Sequence, residues 1–210
     1  MTNTVLLNNV DHADLKVITD KSEKYGNNEM YSVVFPFEFK HVQANYPIFF
    51  HKDSATNEVN AIALFGFEKG ENLFLSDNRW DSNYIPLMIE RQPFSIGFQK
   101  QIEDGEEISN TVIHIDLDHP RVNKDEGETL FLAHGGSSEY LSRISSMLKA
   151  LYDSRQTTDL FMKTLEDNDL LETFNLDVQL KDGSNHRMTG FYTINEDKLF
   201  ALDGQTLEQL

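Results

Sequence analysis

His114, Asp116 and Asp118 alternate in the run His114-Ile115-Asp116-Leu117-Asp118. On an extended strand alternate side chains share one face, so an imidazole and two carboxylates would project together. His-x-Asp begins a two-histidine, one-carboxylate iron site, which would need a distant second histidine such as His134 or His186. The simpler account has Ile113, Ile115 and Leu117 filling a core face, with the polar triplet as the wet face of the same strand. No metal is therefore assigned, and His114, Asp116 and Asp118 stand only as candidates.

A second set is aromatic and cationic: Trp80, Tyr84 and Arg91, with Pro86 and Pro93 stiffening the chain beside them. Such side chains serve as binding anchors because they join a large contact area to a polar handle. Tyr46, just before Pro47, would supply a facing wall. The assigned binding residues are thus Tyr46, Trp80, Tyr84 and Arg91. The competing account makes Trp80 and Tyr84 caps of the core and pairs Arg91 with a carboxylate. If the binding account holds, Trp80→Ala should leave folding intact and abolish partner capture.

The acidic runs Glu103–Glu107 and Asn123–Glu128 are rich in oxygen ligands, but neither has the spacing of a twelve-residue calcium loop. Both read as solvated loops. There is no Walker loop, nucleophile elbow, H-E-x-x-H or G-x-G-x-x-G pattern, and no nucleophile is matched to a base. No catalytic residue is assigned and no cofactor is expected.

The elements that must hold these residues come from a chain of 210 residues with 35 acidic and 18 basic side chains, a net charge of −17. That charge repels phosphate backbones and argues against a nucleic-acid partner. With 39% hydrophobic and 11% aromatic residues, the chain can bury one sizeable core, and residues 1–210 read as a single domain. The absence of cysteine removes disulfides and thiolate chemistry. No run reaches the roughly 18 apolar residues of a membrane helix. Met1–Asn9 has no basic start and only a short apolar run, so no secretory signal is read and the cytoplasm is the expected location. A C-terminal secretion signal would escape that test.

The expected fold class is α+β. Short β-branched and aromatic runs begin at Tyr31–Phe35, continue through Phe37, Phe39 and Tyr46–Phe50, and predict strands. Val59–Phe67 and Asn72–Leu75, joined by Glu68–Glu71, predict a hairpin, while Tyr84–Ile89 with Pro86 reads as an edge strand or a broken helix. Strands over Phe94–Gln101 and Thr111–Leu117 complete a strand-rich first two thirds. Leu141, Ile144, Leu148 and Leu151 recur at steps of three and four, predicting a helix over 138–153 capped by Ser137 or Ser138. A second helix is expected from Thr157 or Thr158 to near Leu170, with Phe161, Met162 and Leu165 inward. The Asp182-Gly183 pair predicts a closing hairpin near 173–194, after which Asn195 caps a short helix.

The order of motifs resembles the SapC-like family of bacterial proteins. His12-Ala13-Asp14-Leu15-Lys16-Val17 is similar to the family's opening element, and Tyr46-Pro47-Ile48-Phe49-Phe50 to a strand that follows it. Ala63-Leu64-Phe65-Gly66 and Glu71-Asn72-Leu73-Phe74 come next. Trp80, Tyr84-Ile85-Pro86 and Arg91-Gln92-Pro93-Phe94 resemble its Trp, Tyr-x-Pro and Arg-x-Pro-Phe block. Ile115-Asp116 with Pro120-Arg121-Val122, then Ser138-Glu139-Tyr140-Leu141, lead to a closing signature at Gly190-Phe191-Tyr192 and Leu199-Phe200-Ala201-Leu202. Gly135-Gly136-Ser137-Ser138 fits the family's approach to the long helix only roughly. The family tends to continue beyond the last element, so a shortened C-terminus is expected here.

What the resemblance implies is a non-catalytic accessory or binding protein of a bacterial surface-layer or outer-membrane uptake system, with a protein or peptide partner. It supplies no catalytic residue. One alternative is a structural or secretion-linked surface-layer component, which would self-associate as a homo-oligomer and reach the cell surface without an N-terminal signal. The other is a non-haem iron oxygenase using His114 and Asp116.

Overall fold

Alternating apolar residues along Phe94-Ser95-Ile96-Gly97-Phe98 and Val112–Asp116 make the longest antiparallel pair of the protein. The computed structural model describes residues 3–76, 79–103, 106–181, 183–208 and 210, with side chains outside 101–109. In chain order the strands are β1 (Thr4–Leu6), β2 (Lys16–Val17), β3 (Tyr31–Val33), β4 (Ile48–Lys52), β5 (Val59–Leu64), β6 (Leu75–Ser76) and β7 (Arg79–Trp80). They continue with β8 (Phe94–Glu103), β9 (Glu106–Asp116), β10 (Val122–Asn123), β11 (Glu128–Thr129), β12 (Leu171–Gln179) and β13 (Asn185–Ile194). The α-helices are α1 (Phe39–Val42), α2 (Leu87–Glu90), α3 (Glu139–Asp153), α4 (Arg155–Asp167), α5 (Glu196–Phe200) and α6 (Gly204–Leu207). The architecture is α+β, as expected. Among the described residues no helix is long and apolar enough to cross a membrane.

Among the described residues four sheets form, and two of them organise the protein. One has the order β1-β9-β8 and the other β12-β13-β4-β5-β3. The three-stranded sheet packs Phe94 and Ile115 against Leu141, Ile144 and Leu148 of α3, all nearly inaccessible. The five-stranded sheet packs Phe50, Ala61 and Ala63 with Met162 and Leu165 of α4. Full burial of such side chains stabilises by roughly 1.5–3 kcal/mol each, so these two clusters fix where the helices sit.

The expected helical pair is present, with one boundary moved. Ser138 caps α3, its hydroxyl accepting the Leu141 N–H at 3.1 Å. The second helix starts at Arg155 rather than at Thr157 or Thr158. Ser154 ends α3 and begins α4 with its backbone still helical (φ −75°, ψ −10°), so the two helices meet at one residue. Its hydroxyl donates to the Leu151 carbonyl at 2.9 Å, a back-bond of the kind that bends a helix. The closing hairpin runs longer than expected, over β12 and β13, and Asn195 caps α5 as expected by accepting the Lys198 N–H.

Several local expectations are overturned. Val59–Phe67 and Asn72–Leu75 do not form a hairpin: β5 has β4 on one edge and β3 on the other, so no ladder edge is left. The second segment instead contributes β6, which pairs with β7. Phe37 and Phe39 fall in a helical turn, because Pro36 opens a 3₁₀ turn over Pro36–Glu38 that runs into α1. Tyr84–Ile89 takes the broken-helix alternative, with α2 starting directly after Pro86. The run Glu103–Glu107 is not a long loop: Glu103 pairs with Glu106 and Ile102 with Glu107, while residues 104 and 105 lie outside the described residues. Asn123–Glu128 does turn, and the Asn123 carboxamide accepts the Asp125 and Glu126 N–H groups at 2.8 and 2.7 Å.

A buried arginine ties the N-terminal loops to the rest. Arg121 is 0% exposed; its Nη2 donates to the Asn27 carboxamide at 2.7 Å and its Nη1 to the Gln92 carbonyl at 3.4 Å. Asn27 in turn donates to the Ser22 carbonyl and accepts from Asn72 through its own carbonyl. Beside it, Lys21 pairs with Glu90 at 3.2 Å, and Arg143 approaches the same carboxylate at 3.8 Å.

Candidate functional site

The assigned binding residues divide between two places. Tyr46, Trp80 and Tyr84 belong to one closed network beneath β4, while Arg91 lies elsewhere. The Tyr46 ring meets Phe65, Phe74 and Trp80 edge-on at 5.1, 4.6 and 6.5 Å between centroids. The Trp80 indole N–H donates to the Tyr46 hydroxyl at 2.7 Å, and that hydroxyl donates to the Tyr84 carbonyl. The Tyr84 hydroxyl donates to Glu38 at 2.7 Å.

Glu38, nearly inaccessible at 1%, is the centre of this network. Its carboxylate also accepts the Phe35 N–H and the Leu87 N–H, each at 3.0 Å. The 3₁₀ turn after Phe35 puts the carboxylate there, and Pro86 delivers the start of α2 to it. Burial pushes the Tyr84 phenol well above its ordinary value, and the Glu38 charge adds to that. Tyr46 moves the same way through burial. Trp80 also lines a smaller polar depression of about 510 Å³ with Arg79, Asp81 and Asn83. Because Trp80 is 8% exposed and packed in the core, Trp80→Ala would open a cavity rather than leave folding intact.

Arg91 lines a groove of about 850 Å³ at the seam between the two main sheets. Its walls come from the start of β5, the middle of β8, the last turns of α3 and most of α4. The floor is apolar, with Ile96, Leu148, Leu151 and Met162, and the lip carries Phe98 and Tyr152, whose rings sit 5.3 Å apart. Both lip rings are substantially exposed, at 52% and 40%. At Ser154 the chain passes from α3, which packs on one sheet, to α4, which packs on the other.

The polar lining includes Arg91, Ser95, Asn60 and Thr158. Arg91 is half-buried, with Nη1 donating to the Phe94 carbonyl at 2.7 Å and Nε to the Met88 sulfur at 3.2 Å. The Thr158 hydroxyl is buried and, among the described residues, has no hydrogen-bond partner. The competing account of Arg91 required a carboxylate partner, and among the described residues it makes no ion pair. Arg155, Phe98, Tyr152 and Thr158 were not singled out from sequence. Phe98 carried a usable signal, since it continues the Phe94, Ile96 alternation.

His114, Asp116 and Asp118 do not gather into a metal-sized cluster, and among the described residues no group of three such side chains does. Ile115 is fully buried, with Ile113 and Leu117 packed against the same core, as the wet-face account requires. Asp116 accepts the Asn3 and Asp118 N–H groups at 3.1 and 3.2 Å. The His114 ring lies close to Gly97 of β8: a Cβ added there would fall 2.3 Å from its Cε1, so glycine is needed at that position.

Fold and groove together define an α+β protein with an open, apolar-floored groove and a closed aromatic core. The chain belongs to the SapC family, whose model matches residues 7–210. No curated protein and no solved structure matches it.

Proposed function

We propose that this SapC-family chain is a non-catalytic accessory or binding protein of a bacterial surface-layer or outer-membrane uptake system, acting in the cytoplasm, with the groove as its binding surface. The observation that carries this reading is the groove itself: about 850 Å³ of apolar-floored space with a half-buried arginine at one end. Pockets that hold ligands have this size and this mixture of apolar wall and sparse polar groups. The exposed Phe98–Tyr152 lip is the face offered to a protein or peptide partner, since aromatic side chains dominate such contacts.

The test uses the unaltered chain and a Phe98→Glu/Tyr152→Glu variant as baits on a detergent extract of the producing cell's envelope. Surface-layer or uptake-receptor polypeptides should be enriched about tenfold by the unaltered chain and lost with the variant, a difference of about 1.4 kcal/mol. Equal enrichment by both chains overturns the lip as the contact. Enrichment of neither class overturns the accessory role.

A further inference from the structure

Arg91 is the feature from which the groove's occupant can be read, given that the groove is the working site. Its guanidinium is half-buried and is held by a carbonyl and a thioether, with no carboxylate paired to it among the described residues. Burial alone lowers its affinity for its proton, which is the mark of a desolvated cation with nothing opposite. The groove also presents the hydroxyls of Ser95 and Thr158, the second buried and unpartnered among the described residues, the carboxamides of Asn57 and Asn60, and the apolar floor. A desolvated cation without a counter-charge is costly, so an anion seated against it recovers free energy that water does not supply.

The rim has the opposite character. Glu58, Asp159, Glu166 and Asp167 line it together with Lys163, all of them exposed, and Lys163 pairs with Asp167 at 2.5 Å. Arg155, also exposed, has no ion pair among the described residues. An acidic rim on a chain of net charge −17 repels multiply charged anions more strongly than singly charged ones. The groove therefore selects for one negative charge and an apolar remainder.

We propose that the groove binds a single-headed organic acid, with one carboxylate held in a forked pair by Arg91 and an apolar chain lying over Ile96, Leu148 and Met162. The fork geometry of guanidinium and carboxylate supplies orientation, and the apolar floor supplies contact area.

Decanoate, decanol, decyl phosphate and decyltrimethylammonium, each displacing an apolar fluorescent probe from the unaltered protein, test this directly. Decanoate should bind at least tenfold more tightly than the other three. Arg91→Gln should bring decanoate down to the affinity of decanol and leave decanol unchanged. Arg155→Gln, on the exposed rim, should cost decanoate no more than about threefold. If Arg91→Gln does not fold, the comparison of head groups on the unaltered chain decides alone. Equal binding of decanol and decanoate, or tighter binding of decyl phosphate, overturns the acid inference while leaving the groove as a binding site. Binding of none of the four, with no probe uptake, overturns the groove reading as well.

Discussion

Around Tyr46 every polar handle is engaged, whereas around Arg91 one charge and one hydroxyl are left over. In the first region indole, phenols, carboxylate and backbone N–H groups close a chain of hydrogen bonds running from Trp80 to Glu38. In the second, a guanidinium is anchored by a carbonyl and a sulfur, and among the described residues it pairs with no carboxylate and the Thr158 hydroxyl has no partner. The residue types are those expected of a binding site in both. What separates them is whether their bonding capacity is met inside the fold, because only unmet capacity is available to a ligand.

The comparison is broken most severely by Trp80→Ala. Removing a buried indole from the closed region should cost about 3–5 kcal/mol of stability, read as a lower urea midpoint with an unchanged slope. Probe uptake by the groove should persist in whatever fraction remains folded. A loss below 1 kcal/mol would mean that the aromatic network does not support the core.

A second test concerns a separate buried charge, Lys21 beside Arg121 and Glu90. Burial, and next the Arg121 charge, press its ammonium down to about 8 from the usual 10.5, against the pull of Glu90. The folded chain then gives up this proton near pH 8 and the unfolded chain near 10.5. Between those values the unfolded state binds more protons, so this group makes stability rise with pH, by on the order of 3 kcal/mol across the window. The difference in urea-unfolding free energy between the unaltered protein and Lys21→Met at pH 7.5 and 10.5 isolates it. A difference that does not change with pH would show that Lys21 keeps its ordinary affinity for protons.

The smallest effect belongs to the open region. Tyr152→Ala removes a half-exposed lip ring, so stability should stay within about 0.5 kcal/mol while binding in the groove weakens about twofold. Calorimetric unfolding and probe displacement measure the two. A large stability loss would place the lip with the closed region.

Periodicity made α3 legible, because Leu141, Ile144 and Leu148 form one buried stripe and Ser138 is the cap it needs. The same holds for the wet and dry faces of β9 and for the closing hairpin. The supposed hairpin of Val59–Leu75 was not legible, since nothing local says that β3 and β4 will take both edges of β5. The groove was legible only in part. Arg91 could be named as a candidate, but its freedom from a carboxylate depends on Glu90 turning instead to Lys21 and Arg143.

Local order thus determined the α+β class, the helical pair, the turn positions and the family resemblance, because caps, turns and apolar spacing act over a few residues. Tertiary structure decided which of the anchors are buried, where the seam between the two sheets opens, and which polar groups are left unpaired. Those depend on contacts such as Glu38 with Leu87 and Arg121 with Asn27, between residues far apart in the chain. A side chain's type is carried by the sequence, but its remaining bonding capacity is set by the neighbours that packing brings to it.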